Sequence, residues 1–497
     1  MGAAWRPRQT RPARRGLPMG PREHETQPWR LAAATTLAPA GPGSGTTPNV
    51  TAECLPGGRT RAATLGAMAR ILMAAHPTAG HTNALRAIGG RLRELGHDLA
   101  IATVVAPARF PGLMPEPLRF ASQLPEALRQ DGLRLVPLRP APAALWYGAR
   151  ITRARGLDEL GWALRLFTTG MEGHARRIAE EIEASGTDVV LADYLMPAAL
   201  LAARRTRRPY VALYHSALPF PVEGAAPFGS GLEDDAPRDA TWTQAEQRGL
   251  ALLRWFDARV ARAAKRLRVP LKTNGLLAAP ISDDLNLMAT TPALEPGLEP
   301  LPGPVEMTGP CLPRPVPSSM DDPALTAIRP GRTHVYVSLG TVFNDQPHVF
   351  HAILDGLARH DVDVVVSAGA SFERLQARAG PRTQVFRRVP QVPLLQKVDL
   401  VVTHGGNNTV QESLAAGRPM VVVPFGGDQL ANARRVERLG VGRAVPPSAL
   451  SADAIAHAFT QVSQPEVATK ARALAATLEG VDGTERAAQA VLRLLTT

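Results

Sequence analysis

From Arg70 onward, short apolar runs alternate with longer stretches in which apolar positions recur every three to four residues. That alternation is the signature of parallel strands joined by amphipathic helices. Ile71–Ala75 predicts a strand, Thr82–Leu95 a helix closed by Gly96, and Leu99–Val105 the next strand. The runs Asp188–Ala192 and Tyr210–Leu213 continue the same sheet, with Pro197–Arg205 as the helix between them. The stretches Phe110–Thr169 and Phe220–Pro280 show no single clear period and read as loops and helices laid over the sheet edge.

Nine prolines fall within residues 292–317 without any periodic pattern, which predicts an extended connection. A second run of the same kind follows: strand His334–Leu339, helix His348–His360, strands Val362–Ser367 and Val398–Thr403, helix Thr409–Ala416 and strand Met420–Val423. The organisation expected is a basic tail over 1–67, a Rossmann-like domain over 68–290, a Pro-rich linker over 291–331 and a second Rossmann-like domain over 332–497. The last helix can pack back on the first domain. Two doubly wound parallel sheets facing each other place ligands in the cleft outside their strand C-terminal ends.

Composition narrows the class further. A chain of 497 residues with 45% apolar and 20% charged residues suits two soluble globular domains. The net charge of +12 raises nucleic acid as a partner, but residues 1–67 hold half of that excess, nine Arg against Glu23, Glu25 and Glu53. Elsewhere bases such as Arg86, Arg91 and Arg93 follow helical spacing, aromatics are only 5%, and no basic stripe carries stacking residues, which excludes a nucleic-acid module. Rich in Arg, Pro, Gly and Thr, the tail cannot bury enough apolar surface to order itself and is expected to be disordered, or to be an extension preceding a natural start at Met68. Cys54 and Cys311 form no CxxC pattern, so neither a zinc site nor a disulfide framework is expected, and a reducing compartment is. No apolar run approaches the ~20 residues that span a bilayer. Leu31–Ala40, behind Arg14-Arg15, is too short and broken for a signal core, and a cytoplasmic protein is expected.

Candidate chemistry sits where strands end. Gly80-His81 follows the first strand, and Asp193 closes the Asp188–Ala192 strand, so two parallel strands deliver an imidazole and a carboxylate to one sheet edge. A carboxylate that fixes the ring tautomer leaves the other ring nitrogen free to take a proton from a hydroxyl, the arrangement of a general base. His76, nearer the strand end and followed by Pro77, is the second candidate and reads more simply as packing under the loop. On the second sheet, Thr403-His404-Gly405-Gly406-Asn407-Asn408-Thr409 opens where Val398–Val402 ends. Strand, tight turn and helix in that order present free N–H groups, an imidazole and a hydroxyl to an anion, which suits a pyrophosphate. Glu412, one turn into the helix, is placed to accept from ribose hydroxyls; Asp428-Gln429, beyond the next strand and Pro424, offer acceptors and donors to a hexose.

Together these residues resemble the GT-B, nucleotide-sugar-dependent glycosyltransferases of the UDP-glycosyltransferase type (family 1), in particular their bacterial natural-product and macrolide branch. The likeness runs from Arg70 to the C-terminus and rests on Gly80-His81, Asp193, Val337-Ser338-Leu339-Gly340-Thr341, Pro390-Gln391, His404-Gly405-Gly406, Asn408-Thr409, Glu412 and Asp428-Gln429, in family order. It implies an inverting hexosyltransferase without metal or cofactor, taking a UDP- or dTDP-sugar and a lipophilic small-molecule acceptor such as a polyketide or macrolide. By the same resemblance His81 is the catalytic base and Asp193 its orienting partner. His404, Gly405, Gly406, Asn408 and Thr409 hold the diphosphate with Ser338 and Thr341 near them, Glu412 binds ribose, Gln391 lies in the nucleobase segment, and Asp428 and Gln429 hold the sugar. Ala84 stands where many members have proline, and Arg388 where plant members place tryptophan against the base, so uracil and thymine stay open. The acceptor pocket is expected from Phe110–Thr169 and Tyr214–Pro237, with Trp146, Tyr147, Phe167, Phe220 and Phe228 as apolar surface or as core. The alternatives are a lipid- or envelope-directed GT-B enzyme, which lacks its basic and apolar docking patch here, and a non-catalytic nucleotide-sugar-binding helper, which would not be expected to keep the His81–Asp193 pair. A dinucleotide oxidoreductase is disfavoured because no G-x-G-x-x-G follows the first strand.

Overall fold

The computed structural model describes residues 68–105, 116–151, 153–215, 226–271, 281–295, 303–313 and 321–496. The basic tail, Phe220 and parts of the proline-rich stretch lie outside the described residues. Seven parallel strands form the first sheet: β1 (Arg70–Ala75), β2 (Asp98–Val104), β3 (Arg134–Leu138), β4 (Val189–Asp193), β5 (Tyr210–Tyr214), β6 (Leu285–Met288) and β7 (Val305–Met307). Their order is β3-β2-β1-β4-β5-β6-β7, so the direction of winding reverses between β1 and β4. Six parallel strands form the second: β8 (Thr333–Ser338), β9 (Val362–Ser367), β10 (Thr383–Phe386), β11 (Leu400–Thr403), β12 (Met420–Val422) and β13 (Gly442–Ala444). The order β10-β9-β8-β11-β12-β13 puts the second reversal between β8 and β11.

The central strands are apolar at nearly every position because helices cover both faces. β4 and β5 are buried throughout. Leu72, Ala74, Val190 and Ala192 pack on one side with the helices Met171–Ser185, Pro197–Thr206 and Ala240–Leu267. Ile71, Met73, Val189 and Leu191 pack on the other with Leu85, Ile88 and Leu92 of the helix Ala79–Glu94. That second layer is completed from the far end of the chain. Ala487, Ala488 and Val491 of the last helix, Gly483–Arg493, join it, and Arg91 meets Glu485 in a salt bridge.

The first helix begins at Ala79, earlier than the predicted Thr82, because extended Thr78 ends the loop and its carbonyl accepts from both the backbone N–H (3.0 Å) and the Oγ1 hydroxyl (2.9 Å) of Thr82. His81 therefore sits in a first helical turn and not in a free loop. β3, in a stretch expected to hold no strand, is an edge strand that tolerates Pro137. β7, inside the segment 291–331 expected as a linker, adds the opposite edge. Cys311 is a free, buried thiol pushed up to about 12 by burial. Among the described residues no helix is long and apolar enough to cross a membrane.

Polar contacts tie the two sheets' halves together. Arg155 donates to Gln346 Oε1 at 2.9 Å, Gly156 N–H to the Phe425 carbonyl at 3.3 Å, and Gln411 to the Ala289 carbonyl. Arg435 pairs with Glu295 at 2.7 Å, and Arg438 with Asp234 at 2.8 Å.

Candidate active site

Both reversals of strand order open onto one cleft of about 780 Å³. On the side of the first sheet, β1, β4 and β5 are neighbours in register, Ala74 against Ala192 and Asp193 against Leu213. The segments leaving the three strands consequently meet at one edge. His81 Nδ1 contacts Asp193 Oδ2 in a short hydrogen bond, and the Leu195 N–H donates to Asp193 Oδ1 at 2.9 Å. The Asp193 side chain is fully buried while His81 keeps 13% exposure and lines the cleft, so the ring nitrogen left free is Nε2. Burial alone pushes the Asp193 carboxyl up, but the charges of His81 and His215 outweigh it and hold the group at about 2, ionised throughout the neutral range.

His76 takes the structural part expected of the second candidate. Its Nε2 meets the Leu195 carbonyl at 2.9 Å, its ring lies 4.5 Å from that of Phe167, and burial lowers it to about 3. It is held neutral beneath His81.

Across the cleft, Ser338 ends β8 and Thr341 lies just beyond it. The turn after β11 leads into the helix Asn407–Ala415, whose first amides have no intrahelical acceptor and whose cap, Gly406, offers no side chain. Asn408 and Thr409 lie in this first turn, since the helix starts before the predicted Thr409. The glycines make room for His404. A Cβ on Gly340 (φ +71) or on Gly406 would stand 2.6 Å from its ring, and one on Gly405 (φ +86) would stand 2.7 Å from Val422. Burial lowers His404 to about 4, so it faces the cleft as a neutral imidazole.

Gln391 opens the helix Gln391–Leu395 and ties the floor together. Its Oε1 accepts from the Tyr336 hydroxyl at 2.7 Å, and its Nε2 donates to Thr409 Oγ1 at 3.2 Å and to Glu412 Oε2 at 2.5 Å. Burial pushes Glu412 up to about 7 against that hydrogen bond. Asp428 begins the helix Asp428–Arg438 and is pushed up to about 6 by burial, with backbone N–H groups opposing. Gln429 Oε1 accepts from the Phe425 N–H at 2.9 Å. Of the residues singled out in the sequence, His81, Ser338, Thr341, Gln391, His404, Gly406, Asn408, Thr409, Glu412, Asp428 and Gln429 line this cleft. Asp193 and Gly405 stand behind it as supports.

Three residues of the site were not singled out. His215, just past β5, brings Nδ1 to 3.5 Å from Asp193 Oδ1. Asn407 donates through Nδ2 to the His215 carbonyl at 2.7 Å, directly across the cleft. Glu159, from the helix Gly156–Phe167, lies against Gly426 and Gly427 and is pushed up to about 8 by burial and by the charge of Asp428. The predicted strand Tyr210–Leu213 carried the signal for His215, because the strand beside that of Asp193 runs straight into Tyr214-His215. Of the aromatics expected in the acceptor pocket, Phe167 lines the cleft, 5.0 Å from the His81 ring. Trp146 and Tyr147 instead cluster with Trp162, and Phe228 packs on the core.

His81, Asp193 and His215 also have metal-ligand chemistry, with one donor atom from each lying within 4.8 Å of the others. Without an ion, the same set is a carboxylate shared between two imidazoles.

Two open parallel sheets whose reversal points face each other over a single cleft define the GT-B class of Rossmann-like folds. The model of the UDP-glucoronosyl and UDP-glucosyl transferase family matches residues 317–473, a stretch that holds nearly all of the second sheet's side of the site. The chain is 32% identical over 160 residues to YojK, an uncharacterized UDP-glucosyltransferase of Bacillus subtilis (strain 168), in a match that takes in 32% of this chain and 40% of that protein. It is 27% identical over 388 residues to the 4'-demethylrebeccamycin synthase of Lentzea aerocolonigenes, covering 75% of this chain and 87% of that one. The chain spans about two fifths of the length of the curated relatives it matches first. Among solved structures, the glycotransferase of kitacinnamycin superposes with a TM-score of 0.65 at 23% identity, over 86% of this chain and 100% of that one, a likeness of fold.

Proposed function

We propose that this protein transfers a hexosyl group from a UDP- or dTDP-sugar to a hydroxyl of a lipophilic small molecule, inverting the configuration at C1 without a metal ion. Residues 68–290 take the acceptor and 332–497 the nucleotide sugar. The acceptor hydroxyl gives its proton to His81 Nε2 as its oxygen attacks C1, while the bond from C1 to the diphosphate breaks on the opposite face. Asp193 accepts from Nδ1 and stabilises the imidazolium that forms. The departing diphosphate gathers negative charge, which the N-terminal amides of the helix Asn407–Ala415, the Thr409 hydroxyl and His404 are placed to meet.

The single observation that carries this reading is that His81, backed by Asp193, lines one cleft together with His404, Gly406, Asn408 and Thr409 of the turn on the other sheet. The reading is supported as well by the names of the relatives, a UDP-glucosyltransferase of Bacillus subtilis and the oleandomycin glycosyltransferase of Streptomyces antibioticus. Incubation with a panel of UDP- and dTDP-hexoses in the presence of EDTA, read by released nucleotide, tests it. Turnover of at least one donor, accelerated by a hydrophobic alcohol acceptor, is expected. Binding of nucleotide without any turnover would leave a helper protein in its place.

A further inference from the structure

We propose that His215 is a positioning residue that links the donor turn to the His81–Asp193 pair. The inference rests on the transfer reading above. β5 runs beside β4 with Leu213 against Asp193, so His215 emerges at the edge where that carboxylate ends. The carboxylate has two oxygens and divides them. Oδ2 is taken by His81 Nδ1, whereas Oδ1 receives the Leu195 N–H at 2.9 Å and faces His215 Nδ1 at 3.5 Å. That last separation is too long for a hydrogen bond, and His215 Nδ1 is buried without a bonded partner. A buried polar nitrogen left in this way is unfavourable, and a small approach toward Oδ1 relieves it.

The backbone of the same residue is held from the other side of the cleft. Its carbonyl accepts from Asn407 Nδ2 at 2.7 Å, and Asn407 is the first residue of the helix whose N-terminus forms the proposed diphosphate seat. A diphosphate that draws on this turn acts on Asn407, through one hydrogen bond on the His215 backbone, and through the ring on Asp193. The His215 and His81 rings stand 4.4 Å apart, so both imidazoles compete for one negative charge. Approach of a neutral His215 Nδ1–H to Oδ1 takes up part of that charge and leaves less of it to hold a proton on His81. The base is thereby kept free when a donor is present.

The groups facing His81 are Asp193 at the end of β4, His215 beyond β5, His76 beyond β1 and Asp428 across the cleft, with the Phe167 ring filling the remaining side. Removing the His215 imidazole takes away the group poised to approach Oδ1 and leaves the Asp193 charge to His81. The acidic limb of the transfer rate is then expected at higher pH.

The test compares wild type with His215→Phe, His215→Asn and Asn407→Ala in a pH series of kcat and kcat/KM read by released nucleotide, with nucleotide affinity from calorimetry and folding from thermal unfolding. In His215→Phe, kcat falls ~10-fold and the acidic limb moves up by about one pH unit, while nucleotide affinity stays within ~3-fold. His215→Asn, whose amide N–H takes the place of Nδ1–H, restores most of both. Asn407→Ala moves the limb in the same direction, and adding His215→Phe to it changes little more. An acidic limb that stays in place in folded His215→Phe, or equal impairment of the Phe and Asn variants, overturns the inference while the active wild type upholds transfer. Should His215→Phe fail to fold, an unmoved limb in Asn407→Ala overturns it instead. A wild-type protein that turns over no donor overturns the transfer reading and this inference together.

Discussion

At the scale of single residues the site is a set of ionisable groups kept in unusual states by burial. His81→Ala removes the proposed proton acceptor and leaves the proposed diphosphate seat intact. Its kcat is expected to fall ~10²–10⁴-fold, with nucleotide affinity from titration calorimetry nearly unchanged. Glu412 leads to a prediction of opposite character. Burial raises its carboxyl from the usual range to about 7, so the folded protein favours the protonated form more than the unfolded chain does. The stability lost in this way is absent below the unfolded value near 4.5, grows as pH rises toward 7, and is complete above it. Glu412→Gln is therefore expected to unfold at higher temperature than wild type at pH 8, by an advantage of up to about 3 kcal/mol. The two proteins converge near pH 4. Nucleotide affinity should drop by ~10-fold at both values if Glu412 is the proposed ribose acceptor. A variant that gains no stability at pH 8 would show that the Gln391 hydrogen bond already offsets the burial.

At the scale of elements, positions are set by turns, and the glycines of those turns are not equivalent. Gly340→Ala combines a backbone at φ +71 with a Cβ 2.6 Å from the His404 ring. It is expected to cost about 1–3 kcal/mol and to weaken nucleotide binding as the ring is displaced. Gly173→Ala, within the helix Met171–Ser185 with nothing inside 4 Å of the added carbon, should instead stabilise the protein by about 0.5–1 kcal/mol. Urea unfolding of the pair checks both signs. Strands leading into chemistry were readable in the sequence where apolar patterning was dense. β1, β4, β8 and β11 announced themselves, and His81, Asp193 and His404 came with them. The edge strands β10 and β13 were not readable, because Thr383–Phe386 and Gly442–Ala444 are only four and three residues long, too short for an alternating pattern to show. Asn407 and His215 were lost to element ends placed one or two residues away. Glu159 was lost for another reason, since its burial depends on Gly426 and Gly427, far along the chain, and no local pattern reports that.

At the scale of the whole molecule, the cleft exists because side chains from one half are bound by the other. Arg435–Glu295 tests this directly, as Glu295 is buried and pushed up to about 7 even with its partner in place. Arg435→Ala strands that acid and is expected to lower stability by about 3 kcal/mol in denaturant unfolding, with Glu295→Gln in the same background recovering much of the loss. The last helix carries a longer consequence. Leu85, Ile88 and Leu92, on the helix that also bears His81, are roofed by Ala487, Ala488 and Val491 of the helix Gly483–Arg493, far along the chain. As the chain leaves the ribosome, the first sheet waits with a greasy flank open until residues 483–493 have been added. A product lacking residues 483–493 cannot finish its first layer, and a separately expressed first half needs that segment supplied beside it as a peptide.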